Sequence, residues 1–110
     1  MTSTHILLDI QCKPGAWGKE AEVAALLNNA VNHASLKKVN ETYHQFSPAG
    51  VTGVVLLSES HVCVHTWPEQ GKLAVDIFAC GDPEKAERCS DMLIQSLAPH
   101  TYVKKVFKRV

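Results

Sequence analysis

The amino-acid sequence predicts an α+β two-layer sandwich, one mainly antiparallel sheet with two helices on one face, in the order β-α-β-β-β-β-α-β. Three observations predict it. Short apolar segments, several of them β-branched and alternating, recur at the period of two that gives a strand one buried face. Two longer stretches, near residues 19–34 and 83–97, carry apolar residues at helical spacing. Proline and glycine punctuate the intervals between segments.

The first strand is "THILLDIQC" (4–12), short and apolar, and it stops at "KPGAWG", where Pro14, Gly15 and Gly18 mark a turn. From Lys19 to Ala34, Val23, Leu27, Ala30, Val31 and Ala34 share one side of a helix, opposite Glu22, Asn28 and Asn32. Strand character returns in "LKKVNETYHQF" (36–46), and "SPAG" breaks it. "VTGVVLLS" (51–58) suits a central strand. "HVCVHTW" (61–67) alternates, with Val62 and Val64 on one face and His61, Cys63 and His65 on the other. After a Pro68–Gly71 turn, "KLAVDIFAC" (72–80) sets Leu73, Val75 and Ile77 against Ala74, Asp76, Phe78 and Cys80. Asp82, Pro83 and Glu84 read as N-cap, first-turn proline and favourable acid of a helix to about Leu97 that buries Ala86, Cys89, Leu93 and Leu97. "TYVKKVFKRV" (101–110) closes the sheet.

A chain of 110 residues, 45% hydrophobic and 20% charged, is expected to be one folded domain spanning residues 1–110. Eleven basic residues balance eleven acidic ones, so no global charge favours nucleic acid. The local cluster Lys104, Lys105, Lys108 and Arg109 reads as a lysine-protected edge strand. No apolar run is long enough to span a membrane, and residues 1–12 lack the pattern of a signal peptide. Cys12, Cys63, Cys80 and Cys89 show no CxxC spacing and read as thiols of a cytoplasmic protein.

"LSESHVCVHTWPE" (57–69) crowds two serines, acids, two histidines and a cysteine together. His61 and His65 share a strand face, but four residues of strand separate them by about 13 Å, too far for one metal ion, and no metal is expected. Serine, histidine and Asp76 could form a hydrolytic triad, but the G-x-S-x-G elbow is absent and sequence does not give triad geometry. A purely structural role is also open, with serine and glutamate in a tight turn and cysteines packed as small hydrophobes.

The wider run "GVTGVVLLSESHVCVHTWPEQGKLAVDIFACG" (50–81) resembles the signature of bacterial and archaeal S-adenosylmethionine decarboxylase proenzymes. It has their Glu-Ser-His step, then His-Thr-Trp-Pro-Glu, then Asp-x-Phe-x-Cys-Gly, and upstream "HQFSPAG" is similar to their His-x-Phe-x-Pro-x-Gly. The resemblance implies a self-cut at Glu59–Ser60 into residues 1–59 (β chain) and 60–110 (α chain), with Ser60 converted to a pyruvoyl cofactor whose ketone forms a Schiff base with the substrate amine. It assigns His65 to processing, Cys80 to proton donation at the α-carbon, Phe46 to stacking on adenine and Glu69 to the ribose hydroxyls. Thr52 stands where the family commonly has serine and keeps a hydroxyl for processing support. The nucleophile, base and thiol are expected side by side in one strand-turn-strand unit. A Cys80→Ala chain is expected to cut but to lose most turnover. The resemblance further implies a homodimer with sites near the subunit interface, and supply of the aminopropyl donor for spermidine.

The chain departs from the family at Ser3-Thr4-His5, where Gly-x-His is common, at Lys72-Leu73, and after the last strand, where many relatives carry a tail. Two other readings follow from the same residues. One is a pyruvoyl-dependent decarboxylase of ornithine or arginine, for which Glu69 could meet the distal charge. The other is an uncleaved, inactive binding or regulatory subunit. Phe46 and Glu69 favour the adenosyl substrate, and the intact trio Ser60, His65 and Cys80 argues against the inactive subunit.

Overall fold

A computed structural model describes residues 2–109 of the chain. The elements are β1 (Ser3–Gln11), α1 (Glu20–His33), β2 (Lys38–Gln45), β3 (Val51–Leu57), β4 (His61–Trp67), β5 (Lys72–Cys80), α2 (Pro83–Leu97) and β6 (Thr101–Arg109). They form one six-stranded sheet in the order β2-β3-β4-β5-β1-β6, with every neighbouring pair antiparallel. The α+β sandwich and its element order are those the sequence predicts. The expected last residue of β6, Val110, lies outside the described residues.

Both helices pack side by side on one face, α1 over β2 and β3, α2 over β1 and β5. The strand period of two explains which residues meet them. Cross-strand rows such as Val55–Val62–Ile77–Ile6 and Val64–Val75–Leu8 point into this layer and are almost fully buried. They meet Val23, Leu27 and Val31 of α1 and Ala86, Cys89 and Leu93 of α2. Each such aliphatic side chain contributes about 1.5–3 kcal/mol by leaving water.

The helix termini have identifiable causes. Asp82 Oδ1 accepts a hydrogen bond from the Glu84 backbone N–H at 2.9 Å, with Pro83 in the first turn, so α2 starts where the sequence signals it. α1 has no side-chain N-cap of its own; the first free N–H, that of Glu20, donates instead to Gln45 Oε1 of β2 at 2.7 Å. Its C-terminus is a Schellman arrangement. Leu36 N–H bonds Val31 O and Ser35 N–H bonds Asn32 O, while Ser35 takes the left-handed conformation at φ 58°. Residues 35 and 36 therefore finish the helix, and β2 begins at Lys38 and not at the expected residue 36.

Among the described residues, the opposite face of the sheet carries no helix. It presents His61, Cys63, His65, Phe78 and Cys80 together with exposed apolar side chains, among them Leu56, Trp67, Val103 and Phe107 at 48%, 45%, 53% and 50% exposure. At its two edges lie β2 and the lysine-bearing β6. Among the described residues no helix is long and apolar enough to cross a membrane.

Candidate active site

The β3–β4 hairpin closes through Leu57 N–H to Ser60 O at 2.9 Å, leaving Ser58 and Glu59 at the tip. Ser58 N–H also donates to Lys37 O at 3.1 Å, which ties the tip to the start of β2. The neighbouring end of β5 supplies Cys80, and this residue holds both sides of the Glu59–Ser60 peptide bond. Its backbone N–H donates to Ser60 Oγ at 3.1 Å, and its thiol donates to Glu59 O at 3.1 Å. A hydroxyl is thus fixed beside the peptide carbonyl that precedes it, and the carbonyl oxygen already has a donor. That geometry suits attack of Oγ on the Glu59 carbonyl carbon. An open cleft of about 240 Å³ lies over this tip, with Lys37 and Lys85 on its walls.

On the open face beside Cys80, the Phe78 ring stacks on His61 at 5.5 Å and lies under the Arg109 guanidinium at 5.3 Å. His61 and Phe78 belong to the Glu-Ser-His and Asp-x-Phe-x-Cys-Gly motifs, but neither received a role from the sequence, and cross-strand register is the signal that unites them: His61 and His5 both pair with Phe78.

The other expected residues gather at the far end of the same hairpin. Thr52 and His65 are direct cross-strand partners, and Thr52 Oγ1 and His65 Nδ1 share a hydrogen bond at 3.1 Å. That bond orients the ring and leaves Nε2 for a reacting group. Phe46, Thr52, His65 and Glu69 line one cleft of about 350 Å³. Phe46 follows β2, its N–H bonded to Gly50 O at 2.8 Å, and the residue is 48% exposed. Glu69 sits in the β4–β5 turn, which Cys12 N–H anchors through Gly71 O at 2.7 Å and Gly15 N–H through Pro68 O at 2.8 Å. Gly71 (φ 69°) cannot be replaced without strain, because a Cβ there would run into the Cys12 carbonyl.

The expectation that base, nucleophile and thiol stand side by side in one strand-turn-strand unit is therefore met only in part. Glu59, Ser60 and Cys80 are together; His65, with Thr52, Phe46 and Glu69, is not beside them. The reason is strand geometry. Ser60 is at the turn, and a strand advances about 3.3 Å per residue, so His65 is carried about 13 Å beyond His61. Close spacing in sequence is distance in a strand.

The remaining thiols fit packing roles. Burial pushes the Cys89 thiol up to about 12 and raises that of Cys12; burial and then the Asp76 charge raise that of Cys63. All three hold their protons at neutral pH.

A two-layer α+β domain in which one residue, Cys80, holds both the Ser60 hydroxyl and the Glu59 carbonyl has the parts that a self-cleaving class of protein needs. Comparison with known proteins narrows the class. The family model described as S-adenosylmethionine decarboxylase matches residues 4–110. The chain is 45% identical over 106 residues to the S-adenosylmethionine decarboxylase proenzyme of Hydrogenobaculum sp. (strain Y04AAS1), covering 96% of this chain and 79% of that one. It is 41% identical over 99 residues to the protein of the same name from Archaeoglobus fulgidus, covering 89% and 88%. The crystal structure of adenosylmethionine decarboxylase from Aquifex aeolicus VF5 superposes with a TM-score of 0.91 at 42% identity, over 97% of this chain and 89% of that one. The chain belongs to the S-adenosylmethionine decarboxylase family.

Proposed function

We propose that this chain is a proenzyme that cuts itself between Glu59 and Ser60 and, once processed, decarboxylates S-adenosylmethionine to the aminopropyl donor used in spermidine synthesis, in the cytoplasm. The observation that carries the reading is the double hold of Cys80 on the scissile bond, N–H to Ser60 Oγ and thiol to Glu59 O, both at 3.1 Å.

Processing follows from those contacts. Ser60 Oγ adds to the Glu59 carbonyl carbon as its proton passes to a base, and the Cys80 thiol bears the charge that develops on Glu59 O. Collapse breaks the C–N bond, the Ser60 nitrogen takes up a proton, and Glu59 and Ser60 are joined through an ester. A base then removes the Ser60 α-proton. The Glu59 carboxylate leaves as the end of a β chain (1–59), and residue 60 becomes dehydroalanine. Tautomerisation and addition of water release ammonia and leave a pyruvoyl at the head of an α chain (60–110). Ser60 fits this origin because its side chain is already held and its carbonyl neighbour polarised. When formed, that group supplies the electron sink for the pair left behind by carbon dioxide. Cys80, fixed beside it, is the proton donor to the α-carbon. Phe46 offers a half-exposed ring to adenine, and Glu69 in the same cleft offers acceptors to the ribose hydroxyls. An aromatic platform beside an acid suits an adenosyl substrate better than ornithine or arginine.

His65, oriented by Thr52, is the processing base, but it lies too far along β4 to serve Ser60 of its own chain. A second copy resolves this. Two sheets packed by their open faces about a two-fold axis bring the His65 end of each chain over the Ser60 end of the other, giving two composite sites. The exposed Leu56, Trp67, Val103 and Phe107 would be buried in the same step.

Co-expression of two variants tests cleavage and dimer together. Ser60→Ala and His65→Ala chains should each remain uncut alone. In the mixed dimer one site combines the Ser60 and Cys80 of one chain with the His65 of the other, so the His65→Ala chain should be cut into 1–59 and 60–110, read by intact mass under denaturing conditions. No cleavage in the mixture would sink the two-chain site. A wild-type chain that stays whole would sink the proenzyme reading itself and leave an inactive subunit.

A further inference from the structure

His44 belongs to the same "HQFSPAG" stretch as Phe46, yet neither the cut nor the decarboxylation uses it. Being two residues apart, the two side chains share one face of the chain as it leaves β2. The imidazole meets the Phe46 ring nearly at right angles, 78° between planes, with centroids 4.6 Å apart. In register, His44 is directly opposite Thr52, which is directly opposite His65. The three form one row across β2, β3 and β4 on the open face, and His44, Thr52 and His65 line a cleft of about 420 Å³ that abuts the one holding Phe46 and Glu69.

The backbone at Phe46 is already fixed. Its N–H donates to Gly50 O at 2.8 Å, and its carbonyl accepts from Gln45 Nε2 at 3.1 Å. What those bonds leave free is rotation of the ring, which is 48% exposed and would otherwise sample several rotamers. Among the described residues, His44 is the one aromatic partner of that ring.

We infer that His44 is a positioning residue for substrate binding: it braces Phe46 on one side so that the ring's remaining surface stands ready for the adenine. The inference deepens the proposed function and rests on the reading of Phe46 as the base-stacking platform. A ring held in its bound rotamer loses less entropy when the substrate arrives, and a near-perpendicular aromatic pair has a strength that corresponds to roughly a three- to tenfold change in binding. The effect belongs to binding and to neither the cut nor the chemical step, because among the described residues Thr52 and His65 bond each other and not His44.

Steady-state kinetics of the processed enzyme with S-adenosylmethionine test it, beside a cleavage time course by mass. His44→Ala should raise KM about three- to tenfold, with kcat and the cleavage rate within about twofold of wild type. His44→Phe, which restores an aromatic edge without the imidazole nitrogens, should bring KM back. An unchanged KM in His44→Ala, while Phe46→Ala raises it, overturns the brace. A slowed cut or lowered kcat that His44→Phe does not rescue also overturns it, and assigns His44 to the Thr52–His65 pair. If Phe46→Ala itself leaves KM unchanged, the platform reading fails first and the brace falls with it.

Discussion

The proposed function gives Cys80 one side chain and two tasks, one before cleavage and one after it. In the uncut chain its thiol donates to Glu59 O and its N–H holds Ser60 Oγ; in the proposed reaction the same thiol then serves as the acid at residue 60. Replacing the thiol removes a donor worth about 1 kcal/mol from the first task and the only assigned acid from the second. A freshly translated Cys80→Ala chain should cut about fivefold more slowly than wild type, still reach completion, and lose turnover by about a hundredfold or more. Cys80→Ser, which keeps an O–H donor, should cut at close to the wild-type rate. Fragment appearance by mass and carbon dioxide release read the two tasks apart. Cleavage of Cys80→Ala at the wild-type rate would remove the thiol from processing. The sequence held the identity of this residue but not its first task, because a contact between residues 59 and 80 depends on how the β3–β4 turn abuts the end of β5.

At the scale of elements, legibility followed the strength of local signals. β4, β5 and α2 have the limits read from the sequence, since strict alternation and the Asp82-Pro83 start leave little choice. At the α1–β2 junction the helix stop at Ala34 was legible but the start of β2 was not: a serine stands at the left-handed position where glycine is the usual signal, and Leu36, read as strand, completes the helix cap. The same junction carries a polar clamp. Glu41 accepts from Lys38 Nζ and Tyr43 Oη at 2.7 Å and from Asn28 Nδ2 at 2.7 Å, which ties β2 to α1. The Lys38 bond, followed by those from Asn28 and Tyr43, lowers the Glu41 carboxyl from 4.5 to about 2. Burial first, then Glu41, pushes the Tyr43 phenol upward. A depressed carboxyl stabilises the fold above its unfolded value and loses that contribution as pH falls through the folded one. Glu41→Gln should therefore melt below wild type at pH 6–7. The gap should narrow as pH falls below about 4.5 and be nearly gone toward pH 2. A gap independent of pH would mean that the clamp acts through shape and not charge.

At the scale of the whole molecule, the motif names the residues of the site but not the surface that unites them. "SESHVCVH" compresses into eight letters a nucleophile and a base that the strand then pulls apart, so one chain holds two half-sites at opposite ends of an uncovered face. In the proposed dimer a two-fold partner reunites them, and the prediction at this scale concerns that face. Leu56 lies on it, 48% exposed in the single chain, with neither helix against it. Leu56→Arg should leave the fold nearly untouched, with a thermal midpoint of the isolated chain close to wild type, since a half-exposed side chain gives up little core. In a face-to-face dimer the same change buries two unpaired guanidinium groups, a cost of several kcal/mol per ion that comes on top of the missing leucine packing. The variant should sediment as a monomer and, with no partner to bring His65 to Ser60, remain uncut. Charge reversal of an exposed lysine on β6, Lys108→Glu, serves as the control for a charge change away from the face. A Leu56→Arg monomer that cleaves at the wild-type rate would place a complete site within one chain and would require a base other than His65.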